Sequence, residues 1–162
     1  MNRINLRVTI VFLFAFLTFF AFSQNNASID KLKENANQFI LEWHKNAADA
    51  DLDYFDKIAE DGIYIGTDPT ELWTKDEFFN WSKKYFDNGK AWSFTTISRN
   101  IYLGDNKSYV WFDELLNTGM GVCRASGILR KKDNGWEIIH YHLSMSIPNE
   151  SVSDIKKIIE GS

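Results

Sequence analysis

Apolar residues recur at intervals of three and four positions in the segment that follows residue 28. The members of this stripe are Ile29, Leu32, Ala36, Phe39, Ile40, Trp43 and Ala47. This spacing places their side chains on one face of an α-helix, and it predicts a helix of about 20 residues. A second, shorter helix is predicted to begin after Asp49 or Asp51. Its apolar positions are Leu52, Phe55, Ile58 and Ala59.

The middle of the chain carries strand, turn and capping signals. The glycine-bounded segment Gly62–Gly66 predicts a short strand, and Thr67–Pro69 predicts the turn that follows it. Thr74 and Glu77 have the spacing of a capping box, in which the hydroxyl and the carboxylate satisfy free backbone amides at the start of a helix. A helix is therefore expected from this point to about Phe86.

Four β-strands are predicted in the last part of the chain. Their ranges are Trp92–Leu103, Ser108–Leu116, Met120–Arg130 and Trp136–Ser146. The connections between them are short enough for hairpins, so the strands form an antiparallel meander. Helices followed by a curved antiparallel sheet predict an α+β fold, in which the N-terminal helices cover the concave face of the sheet. After Pro148, residues 150–162 are expected to form a short helical tail.

The lengths of the hairpin loops predict the strand register, and the register assigns side chains to the two faces of the sheet. A turn at Thr118–Gly119 would place Asp113 opposite Arg124. A three-residue loop at Asp133–Gly135 would place Leu129 opposite Ile139, and Gly127 opposite Tyr141. The predicted inner face comprises Ile97, Arg99, Ile101, Val110, Phe112, Glu114, Cys123, Ala125, Gly127, Leu129, Ile139, Tyr141 and Leu143. The predicted outer face comprises Trp92, Phe94, Trp111, Asp113, Arg124, Ser126, His140, His142 and Ser144.

An apolar run at the N-terminus changes the interpretation of the composition. Val8–Phe22 contains two non-apolar residues, follows Arg3 and Arg7, and ends in the small-residue pattern of a cleavage site at Ala21–Ser23. These are the features of a secretory leader. The alternative is a membrane anchor, for which 15 residues is short. We expect residues 1–23 to be removed, the mature chain to begin near Gln24, and the protein to be secreted or periplasmic.

Charge and cysteine content narrow the expected partners. The 162 residues carry a net charge of −4, which becomes −6 once the two arginines of the leader are removed. An acidic chain of this kind is a poor match for nucleic acid, and no membrane contact is expected after leader cleavage. The single cysteine, Cys123, excludes an internal disulfide. His140 and His142 lie two positions apart on one strand, which is more typical of hydrogen-bonded imidazoles than of a metal site, so neither metal nor cofactor is expected.

Two charged residues interrupt the predicted inner face. Arg99 and Glu114 would lie among apolar side chains, where an unpaired charge costs several kcal/mol. One interpretation is a cavity in which Arg99 binds a carboxylate or polarises a carbonyl, Glu114 accepts a proton with a pKa raised by burial, and Tyr141 donates a hydrogen bond. The other is that Arg99 and Glu114 neutralise each other in a structural core. The predicted ligand-binding residues are Trp43, Tyr64, Asp68, Trp73, Arg99, Glu114 and Tyr141, with Glu114 and Tyr141 as catalytic candidates.

The order of these elements resembles the SnoaL-like domains of the nuclear transport factor 2-like superfamily over residues 29–147. The matching segments are Asp61–Asp68, Glu71–Lys75, Trp111–Glu114, Arg124–Leu129 and Gly135–Trp136 leading to His140–Ser144. The resemblance implies a cone-shaped barrel with a pocket, which often dimerises through its outer sheet face. The ending His140–His142 is also similar to the association domain of calcium/calmodulin-dependent kinases, which is not catalytic. The superfamily includes cyclases, isomerases, dehydratases and binding modules on one fold.

The sequence therefore leaves three alternative functions. The leading one is an exported domain, spanning residues 24–149, that binds a small, partly apolar organic ligand in its pocket. The first alternative is an acid/base enzyme without a cofactor, of the isomerase, dehydratase or cyclase type, acting on a hydrophobic carbonyl compound. The second alternative is a dimeric assembly module without activity. The residues expected at a homodimer interface are Trp111, Asp113, Arg124, His140 and His142.

Overall fold

The computed structural model describes the backbone of residues 3–161 and the side chains of residues 26–161. The predicted leader, residues 1–23, lies outside the residues whose side chains are described, so its cleavage stays a prediction. Within the described part of the chain, no helix combines the length and apolar character that crossing a membrane requires.

Within residues 3–161, four α-helices and six β-strands make up the fold. The helices are α1 (Arg3–Ala48), α2 (Asp53–Asp56), α3 (Lys75–Asp87) and α4 (Val152–Glu160), with a 3₁₀ turn at Asn149–Ser151. The strands are β1 (Ile58–Ile65), β2 (Leu72–Thr74), β3 (Thr95–Leu103), β4 (Tyr109–Thr118), β5 (Gly121–Lys132) and β6 (Gly135–Met145). The sheet order is β2-β1-β6-β5-β4-β3. An α+β fold with a helix packed on a curved, mostly antiparallel sheet is thus confirmed.

The first helix buries the apolar stripe that its sequence predicts. Ala36, Ile40, Trp43 and Ala47 are fully buried and belong to the main core. The helix begins at Arg3, earlier than expected, because the apolar run of the predicted leader is also helical. At α3, the capping box is confirmed, since Thr74 Oγ1 accepts a hydrogen bond from the Glu77 amide and the Glu77 carboxylate accepts one from the Thr74 amide.

The segment after α1 differs from its prediction. The helix α2 ends at Asp56, and Ile58 and Ala59, expected to be helical, belong to β1. The reason is tertiary pairing. Ile58 pairs with Ile138 of β6 in parallel register, and the Lys57 carbonyl accepts a hydrogen bond from the Ile138 amide at 2.9 Å. A long-range strand partner has overridden the local helical pattern.

The strand register of the meander is partly as predicted. The first hairpin is confirmed, with Ile101 opposite Phe112 and Arg99 opposite Glu114. The second is wrong by two residues, because the turn lies at Gly119–Met120 and Arg124 therefore pairs with Leu115. A shift of two residues keeps every side chain on its face, since the side-chain period of a strand is two.

The last hairpin and two face assignments also need correction. Its loop has two residues, Asp133 and Asn134, and a bulge then inserts Ile139, so that Leu129 faces Ile138 while Gly127 faces Tyr141 as predicted. Ile138 is consequently the buried residue of the pair.

Three aromatic or apolar residues around the start of β3 lie on the opposite side from that predicted. Trp92 and Phe94 precede β3 and pack against the core, where Trp92 contacts Tyr54 with ring centroids 5.5 Å apart. Ile97, expected on the inner face, lies at a register shift between Thr96 and Ser98 and is 53% exposed. These residues lie at the entrance to the strand, where the regular alternation of side chains does not hold.

Candidate functional site

A buried carboxylate lies at the centre of the sheet's inner face. Glu114 of β4 is fully buried and directly opposite Arg99 of β3. Arg99 donates to Glu114 Oε2 from Nε at 2.9 Å and from Nη2 at 2.7 Å. Oε1 lies 2.8 Å from His44 Nε2 and accepts a hydrogen bond from the Tyr141 hydroxyl at 3.1 Å. Both carboxylate oxygens are therefore occupied by protein partners, and we call these four residues the Glu114 network.

The arginine of this network makes two further hydrogen bonds. Nη1 of Arg99 donates to the Asn37 side-chain oxygen at 2.8 Å, and Nη2 donates to Thr96 Oγ1 at 3.0 Å. The Arg99 side chain is only 4% exposed. Arg99 and Glu114 thus face each other, as in the second interpretation of the sequence, and four of the five N–H groups of Arg99 donate to protein acceptors.

The pKa of Glu114 moves in the opposite direction from that expected. Burial raises the pKa, but the hydrogen bond and charge of His44 together with the Arg99 guanidinium outweigh burial and lower it below the ordinary value of 4.5. Burial and the neighbouring Glu114 raise the pKa of Tyr141, so its hydroxyl stays protonated and donates. Glu114 is an anion at neutral pH and a weak base.

His44 is the member of the network that sequence reasoning missed. It follows Trp43 on α1 and lies four residues after Ile40, so the spacing of the buried stripe could have revealed it. Its Nδ1 atom is buried and has no hydrogen-bond partner among the described residues. The imidazole packs against the Phe94 ring with centroids 5.4 Å apart. Trp43 itself is a core residue, which donates from Nε1 to the Tyr54 carbonyl at 3.1 Å.

An aromatic cavity of about 200 Å³ lies beside the network. Its lining residues are Tyr64, Gly66, Thr67, Glu71, Trp73, Phe78, Trp81, Trp92, Phe94, Met120 and Leu143. They come from β1, the loop after it, β2, α3, the segment before β3, the β4–β5 turn and β6. We call this space the aromatic cavity.

The aromatic cavity includes two of the seven residues predicted to bind a ligand. Tyr64 and Trp73 line it. Outside its lining lie Trp43, Asp68, Arg99, Glu114 and Tyr141. The link between cavity and network is indirect: the Tyr64 ring lies 5.4 Å from that of Tyr141, and Phe94 contacts His44. The wall of the cavity therefore differs from the predicted one, and whether any of these residues contacts a ligand stays a prediction.

Asp68 has a local role in the loop after β1. Its Oδ1 accepts hydrogen bonds from the Thr70 amide at 2.8 Å and the Thr70 hydroxyl at 2.6 Å, and these bonds lower its pKa. The residue that does line the cavity is Glu71, three positions further on. The sequence offered no periodic signal for Glu71, because it lies in a loop whose conformation depends on these turn hydrogen bonds.

The residues expected at a dimer interface lie on the outer face of the sheet. Trp111 is 48% exposed and stacks on Tyr102 with ring centroids 5.7 Å apart. Asp113 accepts a hydrogen bond from the Tyr102 hydroxyl at 3.2 Å and lies 3.7 Å from Arg124. That contact is diagonal across the two strands, in place of the directly opposed pair that was predicted.

The two histidines of β6 occupy the same outer face. His142 Nε2 shares a hydrogen bond with Ser144 Oγ at 3.0 Å, while burial and the charge of His142 lower the pKa of His140. Among the described residues, no three histidine, cysteine or acidic side chains are grouped so that they could hold a metal ion.

The helix-covered, mostly antiparallel sheet has the fold of nuclear transport factor 2-like proteins. The family model for the SnoaL-like domain matches residues 36–148, and the chain belongs to that family. No curated protein sequence matches it.

Solved structures share the fold at low sequence identity. A nuclear transport factor 2-like protein of unknown function from Pseudomonas putida is 16% identical with a TM-score of 0.61, over 74% of this chain and 89% of its own. A candidate dehydratase of the same superfamily from Streptomyces avermitilis is 13% identical with a TM-score of 0.61, over 74% and 99%. A candidate ketosteroid isomerase from Parabacteroides distasonis is 18% identical with a TM-score of 0.54, over 67% and 86%.

Proposed function

We propose that this chain is an exported domain that binds a small, partly apolar organic molecule in the aromatic cavity. The observation that carries the proposal is the cavity itself, about 200 Å³ in volume and lined by six aromatic side chains. An apolar cavity of about 150 Å³ accommodates benzene. The space therefore suits a single aromatic ring with a short substituent, or an aliphatic molecule of similar size.

The geometry supports binding more strongly than acid/base catalysis by Glu114. Its oxygens are occupied by Arg99, His44 and Tyr141, and its pKa is lowered. A general base needs a free lone pair within hydrogen-bond reach of the substrate proton. A candidate dehydratase and a candidate ketosteroid isomerase share the fold, which keeps the enzymatic alternative as a second proposal. In that case a neutral His44, donating from Nε2 to Glu114, would offer Nδ1, unpartnered among the described residues, as the proton acceptor.

Calorimetric titration of the mature protein with neutral aromatics tests the binding proposal. Indole, meta-cresol and meta-tert-butylphenol are suitable probes. The variant that should fill the cavity and block binding is Leu143→Phe, because Leu143 is buried and lines the cavity. The matched control is Leu143→Met, which nearly conserves volume. We expect at least one probe to bind the wild type and Leu143→Met but not Leu143→Phe.

A second block, Phe94→Trp, covers the case in which Leu143→Phe does not fold. Flat titrations for every probe, neutral or charged, would contradict the proposal, and so would binding that both blocking variants leave unchanged. For the enzymatic alternative, turnover of a carbonyl substrate that His44→Gln abolishes would be the supporting result. Turnover that survives this substitution would exclude His44 as the base.

Export and self-association are parts of the proposal with tests of their own. N-terminal sequencing of the protein from the periplasm or medium of an expressing cell should give a start near Gln24. Recovery of the chain only in the cytoplasm, with Met1 intact, would refute export. Self-association is supported by the exposed aromatic pair Trp111 and Tyr102 on the outer face. Sedimentation should give a dimer that Trp111→Glu dissociates, whereas a wild-type monomer at micromolar concentration would refute it.

A further inference from the structure

One charged side chain enters the aromatic cavity. Among the described residues, Glu71 is the single charged side chain in its lining. The Glu71 carboxylate is held by the loop after β1, where Oε2 accepts a hydrogen bond from the Asp68 amide at 3.1 Å. It lies against Gly66, in the space that a β-carbon at that position would occupy. The missing side chain of Gly66 thus makes room for the carboxylate at the cavity wall.

Glu71 has no cationic partner within the described part of the chain. The ion pairs there use other carboxylates, including Glu60 with the nearby Lys75. The hydrogen bond from the Asp68 amide satisfies part of one oxygen only. A half-buried carboxylate beside an apolar space therefore has capacity left for a positively charged donor.

The remaining walls of the cavity also favour a cation. The aromatic lining residues are Tyr64, Trp73, Phe78, Trp81, Trp92 and Phe94. They lie close together, with Trp73 and Trp81 ring centroids 4.7 Å apart and Trp73 and Phe78 5.5 Å apart. Aromatic rings attract ammonium groups through their quadrupole, tryptophan most strongly, and such rings recognise methylated ammonium ligands. An anionic ligand would meet repulsion from Glu71 and no basic residue in the described lining.

We propose that the ligand of the aromatic cavity carries a positively charged ammonium group, which lies beside Glu71 while its apolar part packs among the rings. This inference rests on the proposed function, since it names the class of ligand for the same cavity. It differs from the cavity interpretation of the sequence, in which Arg99 would bind a carboxylate or polarise a carbonyl. We do not assign Arg99 that role, because it donates hydrogen bonds to Glu114, Asn37 and Thr96.

The test compares two probes of the same shape that differ in charge. The cation is meta-hydroxyphenyltrimethylammonium, and its neutral isostere is meta-tert-butylphenol. Calorimetric titration of the mature wild type should show the cation binding about tenfold more tightly than the isostere, or better. Benzoate, an aromatic carboxylate of similar size, should not bind measurably.

Variants of the loop locate the charge responsible. Glu71→Gln should lower the affinity for the cation about tenfold and leave the neutral isostere unchanged. Gly66→Ala should act in the same direction, because its β-carbon displaces the carboxylate. The matched control is Asp76→Asn, which neutralises an exposed carboxylate of α3 outside the cavity lining and should change neither affinity.

The possible outcomes separate this inference from the proposed function. Equal affinity for cation and isostere in the wild type, or a cation affinity that Glu71→Gln does not reduce, overturns the ammonium inference while the binding proposal stands. Binding of benzoate in preference to the cation overturns it as well. Failure of the cation, the isostere and the other neutral aromatics to bind overturns both.

Discussion

Replacing Arg99 with methionine should destabilise the protein strongly, because it leaves a charge buried without its main partner. Arg99 provides two of the four hydrogen bonds to Glu114 and contacts Asn37 and Thr96 as well. Methionine keeps much of the length and apolar volume of the arginine stem but offers no donor. The Glu114 carboxylate would then have only His44 and Tyr141 as hydrogen-bond partners.

The expected size of the effect follows from the burial of both side chains, with Arg99 4% exposed and Glu114 fully buried. Removing one partner of a buried ion pair costs about 3–5 kcal/mol. For a domain of this length, each kcal/mol lowers Tm by about 3–5 °C, so a fall of roughly 9–25 °C is expected. Urea unfolding followed by tryptophan fluorescence at pH 7 measures the free energy directly.

The dependence on pH provides a second signature of the same cause. In the wild type the pKa of Glu114 is lowered, so its contribution to stability is present above the ordinary value of 4.5 and is lost as pH falls through the folded-state pKa. Without Arg99, the folded-state pKa of Glu114 should be higher than in the wild type, because a guanidinium that lowers it is missing. The free energy of unfolding of the variant then falls relative to wild type as pH rises through that pKa. The difference between variant and wild type should therefore be smaller at about pH 4 than at pH 7.

The double variant Arg99→Met/Glu114→Gln is the control for this reasoning. It removes the buried charge, so it should be more stable at pH 7 than Arg99→Met alone. A cost below about 1 kcal/mol for Arg99→Met would refute the account of Glu114 as a charge held by Arg99. A deficit that does not change with pH, or a double variant that is less stable than the single one, would refute it too.

Two further predictions concern local packing and can be checked by the same urea unfolding. Thr74→Ala removes the capping hydroxyl of α3 and should lower the free energy of unfolding by about 1 kcal/mol. Thr74→Ser keeps the hydroxyl and should change it by only about a few tenths of a kcal/mol. Equal stability of the two variants would contradict the capping role of Thr74. Gly127→Ala places a β-carbon 2.5 Å from the Phe112 ring in the centre of the sheet and should cost about 1–3 kcal/mol. The exposed neighbour Ser126→Ala should cost little, and a Gly127→Ala variant as stable as wild type would show that the ring moves freely.

Much of the candidate site could be predicted from side-chain periodicity. Arg99, Glu114 and Tyr141 were assigned to the inner face by alternation along their strands, and all three meet in the Glu114 network. The assignment survived a register error in the second hairpin, because that error was two residues long. His44 was missed, although its spacing from Ile40 places it on the buried stripe of α1.

The positions of loop residues were harder to predict, and the aromatic cavity depends on these residues. Glu71 reaches the cavity through the turn hydrogen bonds around Asp68 and the bare backbone of Gly66. Trp92 joins the lining because the chain enters β3 three residues later than expected. Neither position follows a helical or strand period, so no local pattern indicated which side of the chain these side chains would occupy.

The sequence by itself determined the types of most elements, the capped start of α3, the antiparallel meander and most of the sheet's inner face, since each of these follows from the spacing of nearby residues. The tertiary structure alone decided that Ile58 joins a strand beside β6. It also decided that Arg99 closes on Glu114 and that the neighbouring cavity is bounded by aromatic rings and Glu71. These outcomes depend on distances between segments far apart in the chain, and such distances are set only when the helix and the sheet pack together.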